Sequence, residues 1–316
     1  MGKILISGAA GFLGSHLANE LLRKGKYVIG VDNLSTGQET NLKELRKQHN
    51  FTFLNFNICD KEILKIKELG DVTEIYHLAS PASPKFYQAF SMDTIEVNTL
   101  GTKNLLDLAK KNGAKFLFTS TSEAYGDPEV HPQSEDYRGN VNTWGPRACY
   151  DESKRLGEVY CYEYFYKFNV QVKVVRIFNT YSAGLRNDDG RVISNFVLQA
   201  LAGENITVYG DGSQTRSFCY VDDMIRGLQL TMKTEKANGQ IINLGNPDEI
   251  AILELAEKIK KLTNSQSRIV FHSLPDDDPK VRRPNIDKAK DILGWNPLID
   301  LEEGLKRTIQ VYKTRL

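Results

Sequence analysis

At 316 residues, the chain exceeds one ordinary domain and suits a large α/β unit joined to a smaller lobe. With 41% hydrophobic and 26% charged residues it has the composition of a globular protein. A net charge of +1 supplies no basic field that would point to nucleic acid or to an anionic membrane. In chain order, the opening stretch places a lysine before apolar residues. Glycines interrupt that stretch and no cleavage pattern follows, so a strand at 3–7 is expected rather than a leader. Gly2 suggests myristoylation, but Ile6 stands where that modification needs Ser or Thr. A tight turn over 8–14 and an amphipathic helix over 15–24 come next, then a strand at 27–31 closed by Asp32. Further strands are expected at 51–56, 74–78, 115–119 and 172–177, with helical patterns between them. This alternation implies an α/β fold built on a doubly wound parallel sheet, with right-handed crossovers placing helices on both faces.

After Asn179 the alternation loosens. Loops over 182–191, 210–214 and 275–284, rich in Gly, Asp and Pro, surround short helices and strands. The expected division is a first domain over 1–178 and a smaller α/β lobe over 179–316 that closes on it. Asp276, Asp277 and Asp278 resemble a metal cluster only superficially, since three consecutive side chains do not face one ion in regular structure; a solvated loop is expected. Cys59, Cys149, Cys161 and Cys219 show no metal or redox spacing and are expected as free thiols in a reducing compartment. No apolar run of about 20 residues is present, and a cytoplasmic protein is expected.

Gly8, Gly11 and Gly14 form G-x-x-G-x-x-G between a strand and a helix. Such glycines let the backbone approach a pyrophosphate seated on the amides of a helix amino terminus, the phosphate-binding device of the Rossmann fold. Phe12 and Leu13 lie within this motif. Asp32 ends the second strand, where a carboxylate accepts from adenosine ribose hydroxyls and repels a 2′-phosphate, so NAD is expected over NADP. Asn33 follows it, and Asn57 and Ile58 after the third strand are placed beside the adenine. Leu78 and Ala79, in the loop past the fourth strand, together with Asn98 complete the expected cofactor contacts, while His77 is expected to be a packed strand-end histidine.

Tyr150 and Lys154 stand four residues apart, so phenol and ammonium share one helical face. An ammonium near a phenol favours the phenolate, lowering a pKa that is about 10 when unperturbed. That would make a general base for a sugar hydroxyl near neutral pH. Alone the spacing is common; beside a dinucleotide site it points to nicotinamide-dependent chemistry on a hydroxyl.

With those residues in view, the chain resembles the extended short-chain dehydrogenase/reductase family of sugar-nucleotide enzymes, and within it the UDP-glucuronate decarboxylases. The matching stretches include His77-Leu-Ala-Ser-Pro-Ala-Ser-Pro84, Gly145-Pro-Arg-Ala-Cys-Tyr-Asp-Glu-Ser-Lys154 and Arg176-Ile-Phe-Asn-Thr-Tyr181. Asp189-Gly-Arg-Val-Ile-Ser-Asn-Phe196, residues 119–133, 207–218 and 277–286, and Leu293-Gly-Trp-Asn-Pro297 extend the likeness over nearly the whole chain. The resemblance implies that NAD+ oxidises the sugar C4′ hydroxyl while Tyr150 takes its proton. Lys154 would hold the phenolate and the nicotinamide ribose, and Thr121 would bond the same hydroxyl. A ketone at C4′ lies β to the C5′ carboxylate, so carbon dioxide leaves and UDP-xylose follows.

The triplet Thr121-Ser122-Glu123 separates subfamilies. Similar 4,6-dehydratases carry an acid where Ser122 stands, and a serine supplies no acidic proton at neutral pH. Similar 4-epimerases usually lack an acid at 123. Glu123 is thus implied near C5′, with Arg216 beside the carboxylate or phosphate. Asn179, Arg191, Tyr209, Arg216 and Arg282 are implied around UDP, Val208 and Tyr209 near uracil, and Pro84 and Tyr87 at the sugar. Of adjacent Arg282 and Arg283, Arg282 is expected to turn inward. Where relatives usually read Tyr-Gly-Pro-Arg, this chain has Tyr181-Ser-Ala-Gly-Leu-Arg186, which bears on the shape of the sugar pocket. The helical stretches 93–110 and 147–168 carry apolar stripes that in relatives pack against a second copy, so a homodimer is implied. The alternative activities on this scaffold are sugar-nucleotide 4,6-dehydration and 4-epimerisation.

Overall fold

Successive side chains of a strand point to opposite faces, and both faces of the main sheet are buried. In β1 (Lys3–Ser7), Ile4 and Ile6 join one apolar cluster and Leu5 the other. The same split separates Tyr76 from Ile75 in β4 (Val72–His77), and Leu117 from Phe116 and Phe118 in β5 (Lys115–Thr121). Two-sided burial explains why these strands read as nearly continuous apolar runs. The computed structural model describes residues 2–274 and 281–314; the acidic run at 276–278 lies outside them.

The main sheet has seven parallel strands. Adding β2 (Val28–Asp32), β3 (Phe51–Asn55), β6 (Val172–Ile177) and the late strand Ile241–Leu244, its order is Ile241–Leu244, β6, β5, β4, β1, β2, β3. The winding direction reverses between β1 and β4. Ligands of such sheets bind outside the carboxyl ends of the strands at that reversal. There Ser7 lies opposite His77.

The division at 178 is crossed by the chain. Ile241–Leu244 returns from the second half to pair with β6. Without it, the backbone of β6, itself buried along nearly its whole length, would present an unpaired edge. The smaller lobe is built from three two-stranded pairs: Thr180–Tyr181 with Cys219–Tyr220, Thr215–Ser217 with Glu249–Ala251, and Ile206–Tyr209 with Ile269–His272. Among the described residues, no helix is long and apolar enough to cross a membrane.

Candidate active site

A cavity of about 530 Å³ opens between the carboxyl ends of the sheet and the smaller lobe. One wall is the glycine turn leading into helix α1 (Phe12–Arg23). Gly8 has φ +76°, and a Cβ there would fall 2.7 Å from the Ala79 amide. A Cβ on Gly14 would fall 2.0 Å from the Gly8 carbonyl oxygen. The first turn of α1 therefore lies directly on the β1 turn, with its leading amides free of side-chain caps. A cradle that any side chain would fill suits a pyrophosphate.

Asp32 anchors this turn. Its carboxylate accepts from the Ala10 amide at 2.9 Å and the Leu34 amide at 2.8 Å. Burial raises its pKa, and the two amides oppose that rise. Asn33 is exposed and accepts from the Ser35 amide at 3.1 Å. Asn57 accepts from the Cys59 amide at 3.0 Å, and Ile58 is buried in the core. Leu78 lines the cavity, while the Ala79 amide donates to Ser7 Oγ at 3.4 Å. Asn98 is buried, its amide nitrogen 3.0 Å from Ser153 Oγ on the helix Ala148–Phe168. That bond ties the Asn98 segment to the helix that carries Tyr150 and Lys154.

His77 is a packed histidine. Its ring nitrogens bond Ser7 Oγ at 2.8 Å and Thr102 Oγ1 at 3.0 Å. Burial, aided by the charge of Lys154, pushes its pKa down to about 3. It stays neutral and supports the floor of the cleft.

Tyr150 and Lys154 sit in the first two turns of the helix Ala148–Phe168 and both line the cavity. Gly157 explains their depth: a Cβ there would lie 2.4 Å from the Phe118 ring, so only glycine lets the helix press onto β5. Lys154 thereby reaches the Thr119 carbonyl at 2.8 Å. Thr121, at the end of β5, lies beside the Tyr150 hydroxyl, close enough to oppose the rise of its pKa. Tyr87 is buried and stacks flat on Tyr150, centroids 4.9 Å apart and planes 8° from parallel. It backs the Tyr150 ring, leaving Pro84 to line the cavity.

The electrostatics differ from the expectation drawn from spacing alone. Burial pushes the Tyr150 phenol up to about 12, against Thr121, and the Glu123 charge adds to the rise. Burial pulls Lys154 down to about 7. The ammonium is bonded to a backbone carbonyl, 5.9 Å from the Tyr150 ring centroid. The protein by itself therefore holds the phenol protonated, because desolvation exceeds the opposing influence of Thr121 and of the Arg191 charge.

Glu123 is the centre of a buried charge cluster. Arg282 takes it in a two-pronged grip, Nη1 to Oε1 and Nη2 to Oε2, each at 2.8 Å. Arg147 Nη2 donates to Oε2 at 2.7 Å. Burial disfavours the carboxylate, but Arg282 and then Arg147 outweigh it and its pKa is lowered. Arg216 is buried, donates to the Thr215 carbonyl at 2.9 Å and adds its charge to Glu123. Thus Arg282, expected around UDP, grips Glu123 in this structure, and Arg216, expected beside the substrate carboxylate or phosphate, lies in the same cavity. Arg283 turns outward, 3.8 Å from Glu249. Asp151 is buried nearby, and burial, reinforced by Glu123, pushes it up to about 8. With Asp151 held towards the neutral acid, three guanidiniums face one carboxylate. The cluster can bind a further anion and hold it close to Tyr150.

Ser122, Asn179 and Arg191 line the same cavity, and Arg191 is paired with Asp189 at 3.0 Å. In Ile206–Tyr209, Thr207 and Tyr209 face the cavity, whereas Val208 is buried in the core. Period-two alternation forces that choice. The loop after Tyr181 packs over the glycine turn. The Gly184 carbonyl accepts from Asn41 at 3.2 Å and from Gln38 at 3.4 Å, and Gly184 itself, at φ +112°, sits over His16 and Phe12. Its departure from the usual pattern thus shapes the wall beside α1. Among the described residues no cluster suited to a metal ion occurs.

Arg147, Asp151 and Gly157 escaped the reading of the sequence. A helical projection from Tyr150 would have found the first, since three residues earlier shares its face.

The sequence profile described as the NAD dependent epimerase/dehydratase family matches residues 4–245. UDP-glucuronic acid decarboxylase 1 of Danio rerio is 50% identical over 314 residues, covering 99% of this chain and 73% of that protein. UDP-glucuronic acid decarboxylase 5 of Arabidopsis thaliana is 46% identical over 315 residues, covering 99% and 90%. Among solved structures, UDP-glucuronic acid 4-epimerase from Bacillus cereus, in complex with UDP-glucuronic acid and NAD, superposes with a TM-score of 0.90. It is 30% identical, with 99% of this chain and 100% of that one covered.

Proposed function

This chain belongs to the NAD-dependent epimerase/dehydratase family, and on that premise we propose that it converts UDP-glucuronate to UDP-xylose and carbon dioxide. The observation that carries the reading is Glu123, gripped by Arg282 and Arg147 in the cavity that holds Tyr150. The excess positive charge of that cluster suits a sugar bearing a carboxylate.

Gly8, Gly11, Phe12, Leu13 and Gly14 would hold the NAD pyrophosphate, and Asp32 its adenosine ribose. Bound NAD+ supplies the two-electron oxidant for C4′ and a cationic ring that adds to the positive charge around Tyr150. Tyr150 removes the C4′ hydroxyl proton and later returns it, with Thr121 orienting that hydroxyl. Lys154 supplies charge behind the phenol. Once C4′ is a ketone, it lies β to the C5′ carboxylate, and the electrons of the departing carbon dioxide pass into an enolate. Arg147 and Arg282, tied to Glu123, hold the C5′ region, where protonation of the enolate would give the 4-keto pentose; return of the hydride to C4′, with the proton from Tyr150, would then give UDP-xylose and restore NAD+. Asn179, Arg191, Tyr209 and Arg216 line the cavity where UDP would lie.

Product analysis tests this directly. UDP-glucuronate should yield carbon dioxide and UDP-xylose. UDP-galacturonate would make the protein a 4-epimerase, the reading favoured by the likeness to the Bacillus cereus enzyme. A 4-keto-6-deoxy sugar from a neutral UDP- or dTDP-hexose would make it a dehydratase.

Asp32→Ala should weaken NAD binding by about tenfold or more, since it removes a charged acceptor and frees two amides. A fluorescence titration showing unchanged affinity would contradict the ribose assignment. The homodimer rests on one exposed stripe: Val159, Tyr162 and Tyr166 on the helix Ala148–Phe168, continued by Met92 and Ile95 on the adjoining helix. Sedimentation should give twice the chain mass, and a monomer at micromolar concentration would remove this proposal. Four cysteines without disulfide bonds support a cytoplasmic setting.

A further inference from the structure

Behind Tyr150 and Lys154 lies a largely covered carboxylate that the reaction described above does not use. Glu158 stands one turn past Lys154 on the same helix, on the same face. It accepts Ser120 Oγ at 2.5 Å, Arg176 Nε at 2.9 Å and Arg176 Nη2 at 2.7 Å. Ser120 and Arg176 are direct cross-strand partners on β5 and β6, so two neighbouring strands clasp one side chain. The residue before Ser120 is Thr119, whose carbonyl receives the Lys154 ammonium. Consecutive residues of β5 thus hold Lys154 and Glu158. Arg176 is itself fixed, its guanidinium 4.6 Å from the Tyr125 ring centroid, and Tyr125 donates to Asn243 at 2.8 Å.

Resting on the role given to Lys154 above, we propose that Glu158, clasped by Ser120 and Arg176, is a positioning residue that keeps the Lys154 ammonium charged and aimed into the catalytic cleft. The surroundings of Lys154 leave this task to Glu158. On its own helix the titratable neighbours are Tyr150, a neutral phenol, and Cys161, a buried thiol whose pKa is driven upward by burial. From β5 come the Thr119 carbonyl, the Ser120 hydroxyl and the Phe118 ring, 5.0 Å from Nζ. From β4 comes His77, held neutral, and from β6 the Arg176 cation. Glu158 is the anion that acts on Lys154, opposing the burial that lowers its pKa. Its oxygens bond Ser120 and Arg176, and its charge reaches Lys154 from one turn along the same helical face.

That sharing predicts opposite effects for two substitutions. Glu158→Gln removes the anion, so the Lys154 titration midpoint should fall by about one pH unit or more. Arg176→Met removes the competing cation, so the midpoint should rise. The amine can be followed by NMR of [ε-13C]lysine in the protein without sugar nucleotide, its resonance assigned by loss in Lys154→Met. In parallel, the alkaline limb of kcat against pH should move in the same direction as each midpoint, with KM little changed. Midpoints that stay put, or move the same way in both variants, would overturn the proposal. If Glu158→Gln does not fold, Arg176→Met with an unmoved or lowered midpoint suffices to overturn it. The NMR readout stands apart from the reaction, so an error in the assigned substrate would silence only the kinetic arm.

Discussion

Tyr150→Phe is expected to lower kcat on UDP-glucuronate by about 10²–10⁴-fold, the range usual for loss of a general acid–base group. The substitution removes one oxygen beside Thr121 while the ring stays stacked on Tyr87. The fold and NAD binding should therefore persist, and cofactor affinity measured on the same preparation separates chemistry from assembly. Equal turnover of wild type and variant would remove Tyr150 from the mechanism and favour a non-catalytic role for the chain. The pH profile adds a second check. With the phenol pushed up to about 12 and Lys154 down to about 7 in the protein alone, activity depends on positive charge gathered around Tyr150. Loss of the Lys154 proton at rising pH removes part of that charge. An alkaline decline in kcat is expected, and it should disappear in Lys154→Arg, whose charge does not titrate there.

Glu123→Ala carries the other large effect. It leaves Arg147 and Arg282 buried without their shared acceptor, and breaking such a pair costs about 3–5 kcal/mol. Urea unfolding should show that loss. Decarboxylation should fall more than nucleotide affinity, by about a hundredfold if Glu123 takes part in proton handling. Glu123→Gln keeps the volume and one acceptor, so it isolates the charge. The sign of the pH effect follows from the lowered pKa of Glu123 in the folded protein. Its contribution to stability is present above the ordinary value of 4.5 and is lost as pH falls through the folded value. The acid side of the wild-type stability curve should therefore be steeper than that of Glu123→Gln. Unchanged turnover in either variant would take Glu123 out of the reaction.

Local features of the chain carried much of this picture. The strand at 3–7, the glycine turn and the strand closed by Asp32 are short-range objects, set by apolar runs and by positions that admit no Cβ. Six strands of the main sheet were legible, with boundaries shifted by a residue or two, because burial on both faces leaves an unmistakable apolar run. The seventh, Ile241–Leu244, was not, because its membership depends on an edge of β6 formed some 70 residues earlier in the chain.

For the site the boundary runs the same way. Residue types that chemistry demands at fixed spacing were visible as sequence: the three glycines, Asp32, and Tyr150 with Lys154; Thr121 and Glu123 were singled out by the family resemblance. Their charge states were not. Whether a phenol is acidic depends on how much water the fold removes and which cations stay within a few ångströms, and neither quantity is encoded in a four-residue interval. Nor could the chain announce that Arg282, 159 residues from Glu123, would close on it while Arg216 bonded the backbone. Spacing along a helix determines which side chains share a face. Only the packed molecule determines what that face meets, since pairing between distant segments is selected by burial of the whole surface.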